Sequence, residues 1–562
     1  MTVAETRASG LAPSIPEWVA ILLIVAMPIG CGPQWLSLDG DPGRHIRVGE
    51  TILRSGLFYH DPFSFTKAGA PFIPYEWLSE VLTALSVRWA GLPGMLVLTG
   101  AVLALTYAVV TRTLWRRGVS PIVAVPTLLL VLAVGTVHWH ARPHVYTLLS
   151  AALLMVLIDR AADSTRTASP RDVWWAAWPV LPLFACWANL HGGFLYGLFV
   201  LGVVVVGDRV EMLYASGPDV GRWKHVLVRH AAMFGVAVVA VMLTPSGPKL
   251  YLHTFGYLGD TYLVDNTQEY MSPNFHLARF ALIAIVLVTC TLAILPRRAP
   301  FPTLMLVGLN IAFSLVAARN LPLFAIVVLP TVAVELEHAL ATWIPSWARK
   351  LGRPIPYVQP TRLALAWPVV AITLMLLVAR RSAGTAEPPT TITKSHGVFP
   401  TEFVPSVFPV RAVQEARAAA VTGRIFHEFT WGGYILYAWP EQRVFIDGQT
   451  DFYGDSITQE FRDIIGLQHG WRAKLAAWRI ELVLIETASP LSDALAHESG
   501  WQPVYCDSTA VLFRRNESRG PALGPLVSMS VTCQPLSIPP LVTGELRRST
   551  NPAPLELQKI GS

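Results

Sequence analysis

The chain has 562 residues, of which 53% are apolar and only 14% are charged, and its mean hydropathy is +0.46. Soluble domains average about 25% charged residues. Most of this chain therefore cannot fold in water, and lipid must be its solvent. The net charge of +6 comes from basic residues scattered over short loops, which is typical of cytoplasmic loops and argues against a nucleic-acid partner.

Eleven apolar stretches predict transmembrane helices, because each approaches the length that crosses a hydrocarbon core of about 30 Å. They lie near residues 15–37, 93–115, 119–138, 144–160, 173–189, 194–212, 227–245, 278–296, 301–317, 320–338 and 361–380. The stretch from Tyr75 to Ala90 is interrupted by Glu76, Glu80 and Arg88. It is predicted to lie in the membrane interface rather than to span it.

Basic loops alternate along the predicted spans. Five of them fall on one side, at Arg112–Arg117, Arg160–Arg171, Arg209–Arg229, Arg297–Arg298 and Arg349–Arg362. The positive-inside rule makes this side cytoplasmic. The sequence thus predicts a multi-pass protein of the cytoplasmic (inner) membrane with a cytoplasmic N-terminus and an extracytoplasmic C-terminal domain. Arg380 and Arg381 depart from the pattern, since they would lie just outside the last span.

The unusual polar residues collect in the loops on the other, extracytoplasmic side. Ionisable groups at membrane depth usually mark a site. Every unusual polar cluster is therefore expected to face one leaflet. The candidate site residues are Asp39, Asp41, His45, Glu76, Arg142, His144, Asn189, His191, Lys249, Glu269 and Arg319.

Two acidic residues, Asp39 and Asp41, directly follow the first predicted span. On an extended segment, residues two apart point the same way. Such a pair can bind a divalent cation, or one member can act as a general base while the other orients it. The alternative is an ordinary turn or helix cap, since Asp-Gly and Asp-Pro-Gly are turn formers.

The other polar clusters also leave two interpretations open. His138, His140 and His144 can contact a phosphate or a metal, or can form an interfacial cap. Asn189 and His191 precede two glycines, so they belong either to a tight helix–helix turn or to a cavity. For Glu269, lying in a long outer loop, the alternatives are a contact with a sugar hydroxyl and plain solvation.

The periodicity of the apolar residues changes at Thr422. Short β-rich runs (GRIFHEF, RVFIDG, ELVLIE) alternate with helical segments, and a hairpin (WQPVYC, AVLFRR) follows. This predicts an α/β layer with a mostly parallel sheet. Asp447, Thr450, Asp451 and Tyr453 follow a predicted strand, either as a ligand site or as an Asp-capped turn. A disulfide between Cys506 and Cys533 is possible only if this domain is extracytoplasmic.

These observations predict four parts. Residues 1–382 form a membrane domain whose first outer loop, 38–92, carries interfacial helices. Residues 383–421 form a linker and a helix, residues 422–515 an extracytoplasmic α/β domain, and residues 516–562 a disordered tail. The fold class is thus a polytopic α-helical membrane protein of about eleven transmembrane helices with a C-terminal extracytoplasmic α/β domain.

Several segments resemble a bacterial family of the GT-C superfamily, whose members are membrane glycosyltransferases that use polyprenyl-phosphate-linked sugars. These segments are DGDPGRHIRVGE, DPFSFT, YEWLSEVL, HWHARPH, NLHGG, QEYMSPNF, ARNLPLFA and RVFIDGQTDFYG. The resemblance extends to about Arg515. It departs at Arg44, where the family pattern has an aromatic residue before His45.

The resemblance implies transfer of a sugar from a polyprenyl-phosphate-linked donor to a glycan, lipid or protein acceptor on the extracytoplasmic face. In GT-C enzymes an acidic residue of the first outer loop is the catalytic base or a metal ligand, a role that falls here on Asp39 or Asp41. A divalent cation stays open as a cofactor. The alternatives are a transporter or flippase, or a non-catalytic scaffold, for a lipid-linked glycan in envelope assembly.

A lipid phosphate that leaves during transfer needs positive charge or hydrogen-bond donors nearby. Arg142, His144, Lys249 and Arg319 are the candidates for this role. Arginine suits a phosphate best, because its planar guanidinium binds two oxygens at once.

Overall fold

The structure is a computed structural model that describes residues 6–7, 13–162, 168–259, 268–277, 283, 286, 299–343, 358–359, 366–384 and 398–516. Residues 385–397 of the predicted linker, the predicted tail beyond Asn516 and Cys533 lie outside these residues. The helices up to residue 384 are α1 (Ile15–Trp35), α2 (Asp41–Ser55), α3 (Trp77–Arg116), α4 (Pro121–Gly135), α5 (His144–Ala161), α6 (Pro170–Ala177), α7 (Val180–Leu190), α8 (Phe194–Tyr214), α9 (Pro218–Ala240), α10 (Lys249–Leu258), α11 (Phe301–Val316), α12 (Leu321–Val327), α13 (Leu329–Trp343) and α14 (Ala366–Gly384). Two short strands, β1 (Thr6–Arg7) and β2 (Val358–Gln359), pair in parallel.

The chain is a multi-pass membrane protein. Within the described residues, 6 helical segments are long and apolar enough to cross a membrane, or 7 if the bent pair Ala318–Val327 and Leu329–Leu340 forms one span. The six are Ile15–Trp35, Trp77–Arg116, Pro121–His138, His144–Ala161, Pro170–Leu190 and Ala366–Ala383.

Six or seven of the predicted spans, about eleven in number, are found among the described residues. The segments predicted near 194–212 and 227–245 are the helices α8 and α9, but α8 carries Asp208, Arg209 and Glu211, and α9 carries Lys224 and Arg229. These charges separate them from the six apolar spans. The segment predicted near 301–317 is the shorter apolar helix α11, and the one near 278–296 lies almost entirely outside the described residues.

The predicted interfacial helix and the following span form one long helix, α3, with a local break. The break lies at Ala90 (φ −139°, ψ 24°) and Gly91 (φ 60°, ψ −162°). A positive φ is accessible to glycine at little cost. The first half of α3 packs against α2, where a Cβ on Gly49 would lie 2.0 Å from the Glu80 carbonyl oxygen.

Buried polar pairs also occur at the other end of the spans. His230 Nδ1 lies 2.6 Å from Asp208 Oδ2, and Arg229 Nε donates to the carbonyl oxygen of Ala161 over 2.6 Å. Ala161 ends α5, whose first residue, His144, lies at the candidate site. The expectation that every polar cluster faces one leaflet was therefore wrong. The reason is local, because side-chain donors satisfy the free carbonyls at the C-terminus of α5.

The C-terminal region, residues 398–516, is built around a small mixed sheet. Its elements are α15 (Val410–Ala418), β3 (Ile425–His427), α16 (Gly432–Ala438), α17 (Thr450–Ile465), α18 (Trp471–Ala477), β4 (Leu482–Glu486), α19 (Pro490–Ala496), β5 (Trp501–Cys506) and β6 (Ala510–Arg515). The strand order is β3-β4-β6-β5. Only β3 and β4 are parallel, while β6 is antiparallel to both neighbours. The prediction of a mostly parallel sheet was wrong.

The cause is the RVFIDG segment, which was predicted as a strand of this sheet. It pairs instead with the first outer loop. The Phe65 N–H donates to the Val444 carbonyl over 3.2 Å, and the Val444 N–H donates to the Phe63 carbonyl over 3.1 Å. Thr66 Oγ1 donates to the Phe445 carbonyl over 2.6 Å. The backbone of Val444 is thus paired with a segment that is distant in sequence, whereas the Phe445 N–H donates to His427 Nε2 over 3.2 Å.

Helix α16 lies directly on α2 through three glycines. A Cβ on Gly40 would lie 2.4 Å from the Thr430 carbonyl oxygen, one on Gly43 would lie 2.6 Å from the Gly433 carbonyl oxygen, and one on Gly433 would lie 2.3 Å from the Gly40 carbonyl oxygen. Apolar residues of α16, including Tyr434, belong to the same core as the membrane helices. A second core fills the other side of the sheet. The C-terminal region is therefore docked on the membrane helices.

We expect Gly43→Ala to weaken this docking. The added methyl group would meet a backbone carbonyl at 2.6 Å, so α2 and α16 must separate, at a cost of about 1–3 kcal/mol. Thermal unfolding in detergent measures the effect. The matched control is Gly235→Ala in α9, where nothing lies within 4 Å of the added Cβ and helix propensity should improve by about 1 kcal/mol. Equal shifts in the two variants would contradict the close contact.

Candidate active site

Arg142 joins three of the predicted site residues. Its Nη2 lies 2.8 Å from Asp39 Oδ2 and 3.0 Å from Asp41 Oδ2, and its Nη1 lies 3.2 Å from Glu269 Oε1. These residues come from the first outer loop, the segment before α5 and the segment before α11. One guanidinium thus holds three carboxylates together at one end of the membrane helices.

Asp39 and Asp41 do not lie on an extended segment, as the sequence analysis supposed. Asp41 is the first residue of α2, and its N–H donates to Asp39 Oδ1 over 2.9 Å. The turn interpretation therefore describes this segment, since Gly40 is the N-cap residue of α2 and the Asp39 carboxylate accepts a backbone N–H within the turn. The two carboxylates nevertheless converge, because the turn into α2 directs both toward Arg142. A carboxylate at a helix N-terminus is also favoured by the helix dipole.

The two carboxylates differ in how many of their oxygens contact a donor or a cation. Asp39 uses Oδ1 for the Asp41 N–H and Oδ2 for Arg142. Asp41 uses Oδ2 for Arg142, whereas its Oδ1 accepts no hydrogen bond from any described residue. Burial raises the pKa of Asp41, with Arg142 opposing the shift and Asp39 adding to it. Asp41 is thus the better placed of the two to accept a proton.

Gly448 covers the open side of Asp41. A Cβ on Gly448 would lie 1.8 Å from Asp41 Oδ1, so no side chain fits there. Gly448 belongs to the segment between RVFIDG and α17. The C-terminal region therefore forms a wall of the acidic site.

Arg44, where the resembled family has an aromatic residue, connects the two regions. It is 4% exposed. Its Nη1 lies 3.4 Å from Glu80 Oε1, its Nε lies 3.3 Å from Asp447 Oδ1, and its Nη2 donates to Gln449 Oε1. Burial raises the pKa of Asp447 although Arg44 opposes the shift. A buried cation between two carboxylates and an amide fixes how α2 faces the C-terminal region.

Asp447 also forms the capped turn that was one of its two predicted roles. Its Oδ1 accepts the Gln449 N–H over 2.9 Å, and its Oδ2 accepts the Tyr453 hydroxyl over 3.1 Å. The turn interpretation is therefore confirmed for Asp447, and the same turn carries Gly448 to Asp41. A ligand site at this position stays a prediction.

A second group of side chains, His45, Glu76 and Glu80, can hold a metal ion. One ligand atom from each lies within 4.8 Å of the others, and His45 Nδ1 is 3.4 Å from Glu80 Oε1. Burial raises the pKa of Glu76 well above its usual range, and Glu80 adds to the shift. An imidazole with carboxylates is a ligand set for zinc and similar divalent ions. Asp39 and Asp41, the predicted metal ligands, share Arg142 instead.

His191 faces this second group with a defined tautomer. Its Nδ1 accepts the Gly193 N–H over 3.0 Å, so the ring proton lies on Nε2, which is 3.7 Å from Glu76 Oε1. Burial and the charge of Arg319 lower the pKa of His191 to about 3. The ring is therefore neutral and lies beside Glu76 without a hydrogen bond to it.

Two predicted residues stand apart from these contacts. Asn189 accepts from Trp77 Nε1 over 2.5 Å and donates to the carbonyls of Ala185 and Leu243 over 2.7 and 2.9 Å. Its amide is thus occupied by helix packing. Lys249 is exposed in the first turn of α10 and forms no ion pair with any described residue.

The histidine cluster and Arg319 complete one side of the site. The rings of His138 and His144 lie 4.0 Å apart, and His144 Nε2 donates to the His138 carbonyl over 2.8 Å. His140 Nδ1 is buried without a hydrogen-bond partner. The Arg319 guanidinium lies 4.2 Å above the Tyr270 ring and has no ion pair among the described side chains.

The sequence analysis missed a third contact between the two regions. His253 Nε2 lies 3.2 Å from Asp451 Oδ2, the Tyr75 hydroxyl donates to the same oxygen over 3.3 Å, and the rings of Tyr75 and His253 lie 5.2 Å apart. The available signal was a single histidine within the aromatic segment KLYLHTFGYL. A lone histidine does not reveal a partner about two hundred residues away.

We expect Arg142→Gln to destabilise the protein most at neutral pH. Burial alone would raise the pKa of Glu269, but Arg142 and Arg319 outweigh it and the net pKa is lowered. This contributes stability above the unfolded pKa of about 4.3, and the contribution is lost as pH falls through the folded pKa. Without Arg142 three carboxylates face one another, at a cost of about 1–3 kcal/mol for these partly exposed groups.

Thermal unfolding measured against pH tests this prediction. The difference in unfolding temperature between wild type and Arg142→Gln should narrow as the pH falls toward the pKa of a free carboxyl group. Arg54→Gln, which breaks the exposed Arg54–Glu50 pair at 2.9 Å, is the control and should change little at any pH. A difference in unfolding temperature that does not depend on pH would contradict a stabilising role for the charge of Arg142.

No protein-family model and no curated protein matches the chain. Among solved structures, the archaeal oligosaccharyltransferase AglB from Archaeoglobus fulgidus, in complex with an inhibitory peptide and a dolichol-phosphate, has a TM-score of 0.50 at 12% identity over 90% of this chain and 74% of that one. The same organism's enzyme tethered to an acceptor peptide gives 0.50 at 11% identity over 89% and 74%. ArnT from Cupriavidus metallidurans, bound to undecaprenyl phosphate, gives 0.47 at 16% identity over 89% and 98%.

At such low identity the likeness to the archaeal enzyme describes the fold alone. The similarity nevertheless extends over most of both chains. The predicted resemblance to GT-C enzymes is thereby confirmed at the level of structure, and the chain has a GT-C-like fold.

Proposed function

We propose that this chain is a membrane glycosyltransferase that transfers a sugar from a polyprenyl-phosphate-linked donor to an acceptor on the extracytoplasmic face. The observation that carries the proposal is the pair Asp39 and Asp41, held by Arg142 beside Glu269 at one end of the membrane helices. The GT-C-like fold supports it, since the structure of similar fold was solved with a dolichol-phosphate.

In this proposal Asp41 is the general base and Asp39 the residue that orients it. The acceptor hydroxyl gives its proton to Asp41 Oδ1, its oxygen attacks the anomeric carbon, and the bond from that carbon to the phosphate oxygen breaks. Asp41 Oδ1 is free to accept, and burial raises the pKa of this carboxyl group. A base whose pKa lies nearer the working pH is more effective.

Arg319 is proposed as the donor to the leaving phosphate. Its guanidinium is fixed on the Tyr270 ring and has no carboxylate partner within the described chain. Arginine binds two phosphate oxygens at once. Arg142 cannot serve as easily, because three carboxylates already occupy it.

The donor set of His45, Glu76 and Glu80 fits a divalent cation, as its geometry indicates. A cation bound there would supply positive charge for a phosphate-bearing donor. The two carboxylates of this set each have one further neighbour. Arg44 lies 3.4 Å from Glu80, and His191 lies 3.7 Å from Glu76.

The orientation of the protein is supported by its cysteines. Cys506 is disulfide-bonded. Disulfides persist mainly in oxidising compartments. Since Cys506 lies in the C-terminal region, this favours an extracytoplasmic location for the region and for the acidic site on which it is docked.

The structure favours an enzyme over a transporter. Transporters place polar groups where a helix is broken near the membrane midplane. Here the bent pair turns by 53° between Val327 and Leu329, and the residues at the bend, including Val328, are buried and apolar. The ionisable residues of the candidate site, such as Asp41 and His144, lie at the ends of the described helices instead.

Sugar transfer by purified protein from a panel of polyprenyl-phosphate sugars tests the proposal. We expect Asp41→Asn to reduce transfer by ~10²- to 10⁴-fold without loss of donor binding, and Asp39→Asn to have a smaller effect. Asp219→Asn, an exposed change at the start of α9, is the matched control. Intact donor binding with no transfer by wild-type protein would favour a transporter or scaffold.

We expect Gly448→Ala to impair transfer as strongly as a change of Asp41 itself. The added Cβ would overlap Asp41 Oδ1 at 1.8 Å and must displace the carboxylate, although Asp41 is unchanged. Gly500→Ala is the control, because no atom lies within 4 Å of its added Cβ. Full transfer by Gly448→Ala, at wild-type thermal stability, would exclude Asp41 Oδ1 as the proton acceptor.

A further inference from the structure

A cavity of about 490 Å³ lies between α15, α16 and the break in α3. Its apolar wall includes Leu92, the residue after the break, and Phe403. It is distinct from the acidic site, yet the two share α16. Gly433 of that helix touches Gly40 and Gly43, on either side of Asp41.

The floor of the cavity carries a tyrosine hydroxyl group without a protein partner. Tyr434 is only 4% exposed and lines the cavity, and its hydroxyl makes no hydrogen bond to any described residue. The oxygen is nevertheless accessible to water in the cavity, since it is not one of the buried unpaired polar atoms of the described residues. Its ring is fixed against Phe403 and Phe408, with centroids 5.2 and 5.4 Å away. A ligand that displaces this water must itself hydrogen-bond the hydroxyl, because leaving it without a partner would cost about 1–3 kcal/mol.

The rim of the cavity is polar, and among the described residues it carries one unpaired carboxylate and no unpaired cation. It carries Glu402, Gln414 and Arg417. Arg417 is paired with Glu441 at 2.8 Å, so it is not available to a phosphate. A single carboxylate, Glu402, is too few for a metal site. The lining thus offers aromatic rings, hydroxyl groups, an amide and a carboxylate.

This chemistry fits a sugar chain better than a lipid tail or an anion. Sugar rings present apolar C–H faces to aromatic side chains and hydroxyl groups to planar polar ones, whereas an acyl chain would leave the Tyr434 hydroxyl unsatisfied. We propose that this tyrosine cavity binds a neutral oligosaccharide segment. The inference builds on the proposed function, for which it names a glycan as the acceptor, held by α16 away from the reacting end.

The test is equilibrium binding of fluorescently labelled, neutral oligosaccharides of common hexoses and N-acetylhexosamines to the full chain in lipid nanodiscs. We expect Tyr434→Phe, which removes only the hydroxyl and keeps the ring packing, to weaken binding about tenfold. Gln414→Ala, on the exposed rim, should also weaken it. Tyr59→Phe, an exposed tyrosine outside the cavity, is the control.

The catalytic variant separates this inference from the proposed function. Asp41→Asn should bind the oligosaccharides as wild type does, even if it transfers nothing. Binding lost in Tyr434→Phe but kept in Asp41→Asn supports the cavity whatever the outcome of the transfer assay. The inference would be overturned if none of the cavity variants changed oligosaccharide binding. It would also be overturned if a labelled phospholipid occupied the cavity and bound Tyr434→Phe as strongly as wild type.

Discussion

The close approach of α2 and α16 determines most of the candidate site. Because glycines at positions 40, 43 and 433 remove every side chain from the contact, two backbones meet where side chains would otherwise hold them apart. That contact sets Asp41 against Gly448 and brings Arg44 within reach of Asp447. It also makes α16 a common wall of the acidic site and the tyrosine cavity. Small residues at such contacts are a general means of bringing helices close together.

The charge balance of the site points to function rather than stability. Arg142 faces three carboxylates, and Arg44 lies between Glu80 and Asp447. Buried ionic groups of this kind gain little stability over an apolar core, because each charge must first leave water. Burial, together with neighbouring carboxylates, raises the pKa of Asp41 and of Glu76. Residues with strongly shifted pKa values are common at functional sites.

Sequence patterns predicted what depends on local chemistry. The apolar runs predicted a membrane protein. The polar residues of the predicted outer loops included Asp39, Asp41, Arg142 and Glu269, which the structure brings together. Patterns could not predict pairings between distant segments. RVFIDG has the composition of a sheet strand, yet its backbone partner is the first outer loop. Asn189 looked like a site residue, but its amide satisfies helix packing.

Arg44 illustrates why the rest needed a structure. In the sequence it was only a departure from a family pattern, with an arginine where an aromatic residue was expected. In the structure its guanidinium reaches Glu80 on α3 and Asp447 in the C-terminal region. An aromatic residue at this position would leave Glu80 and Asp447 buried without their cation. The C-terminal region thus contributes contacts to the acidic site that the sequence around Arg44 does not reveal.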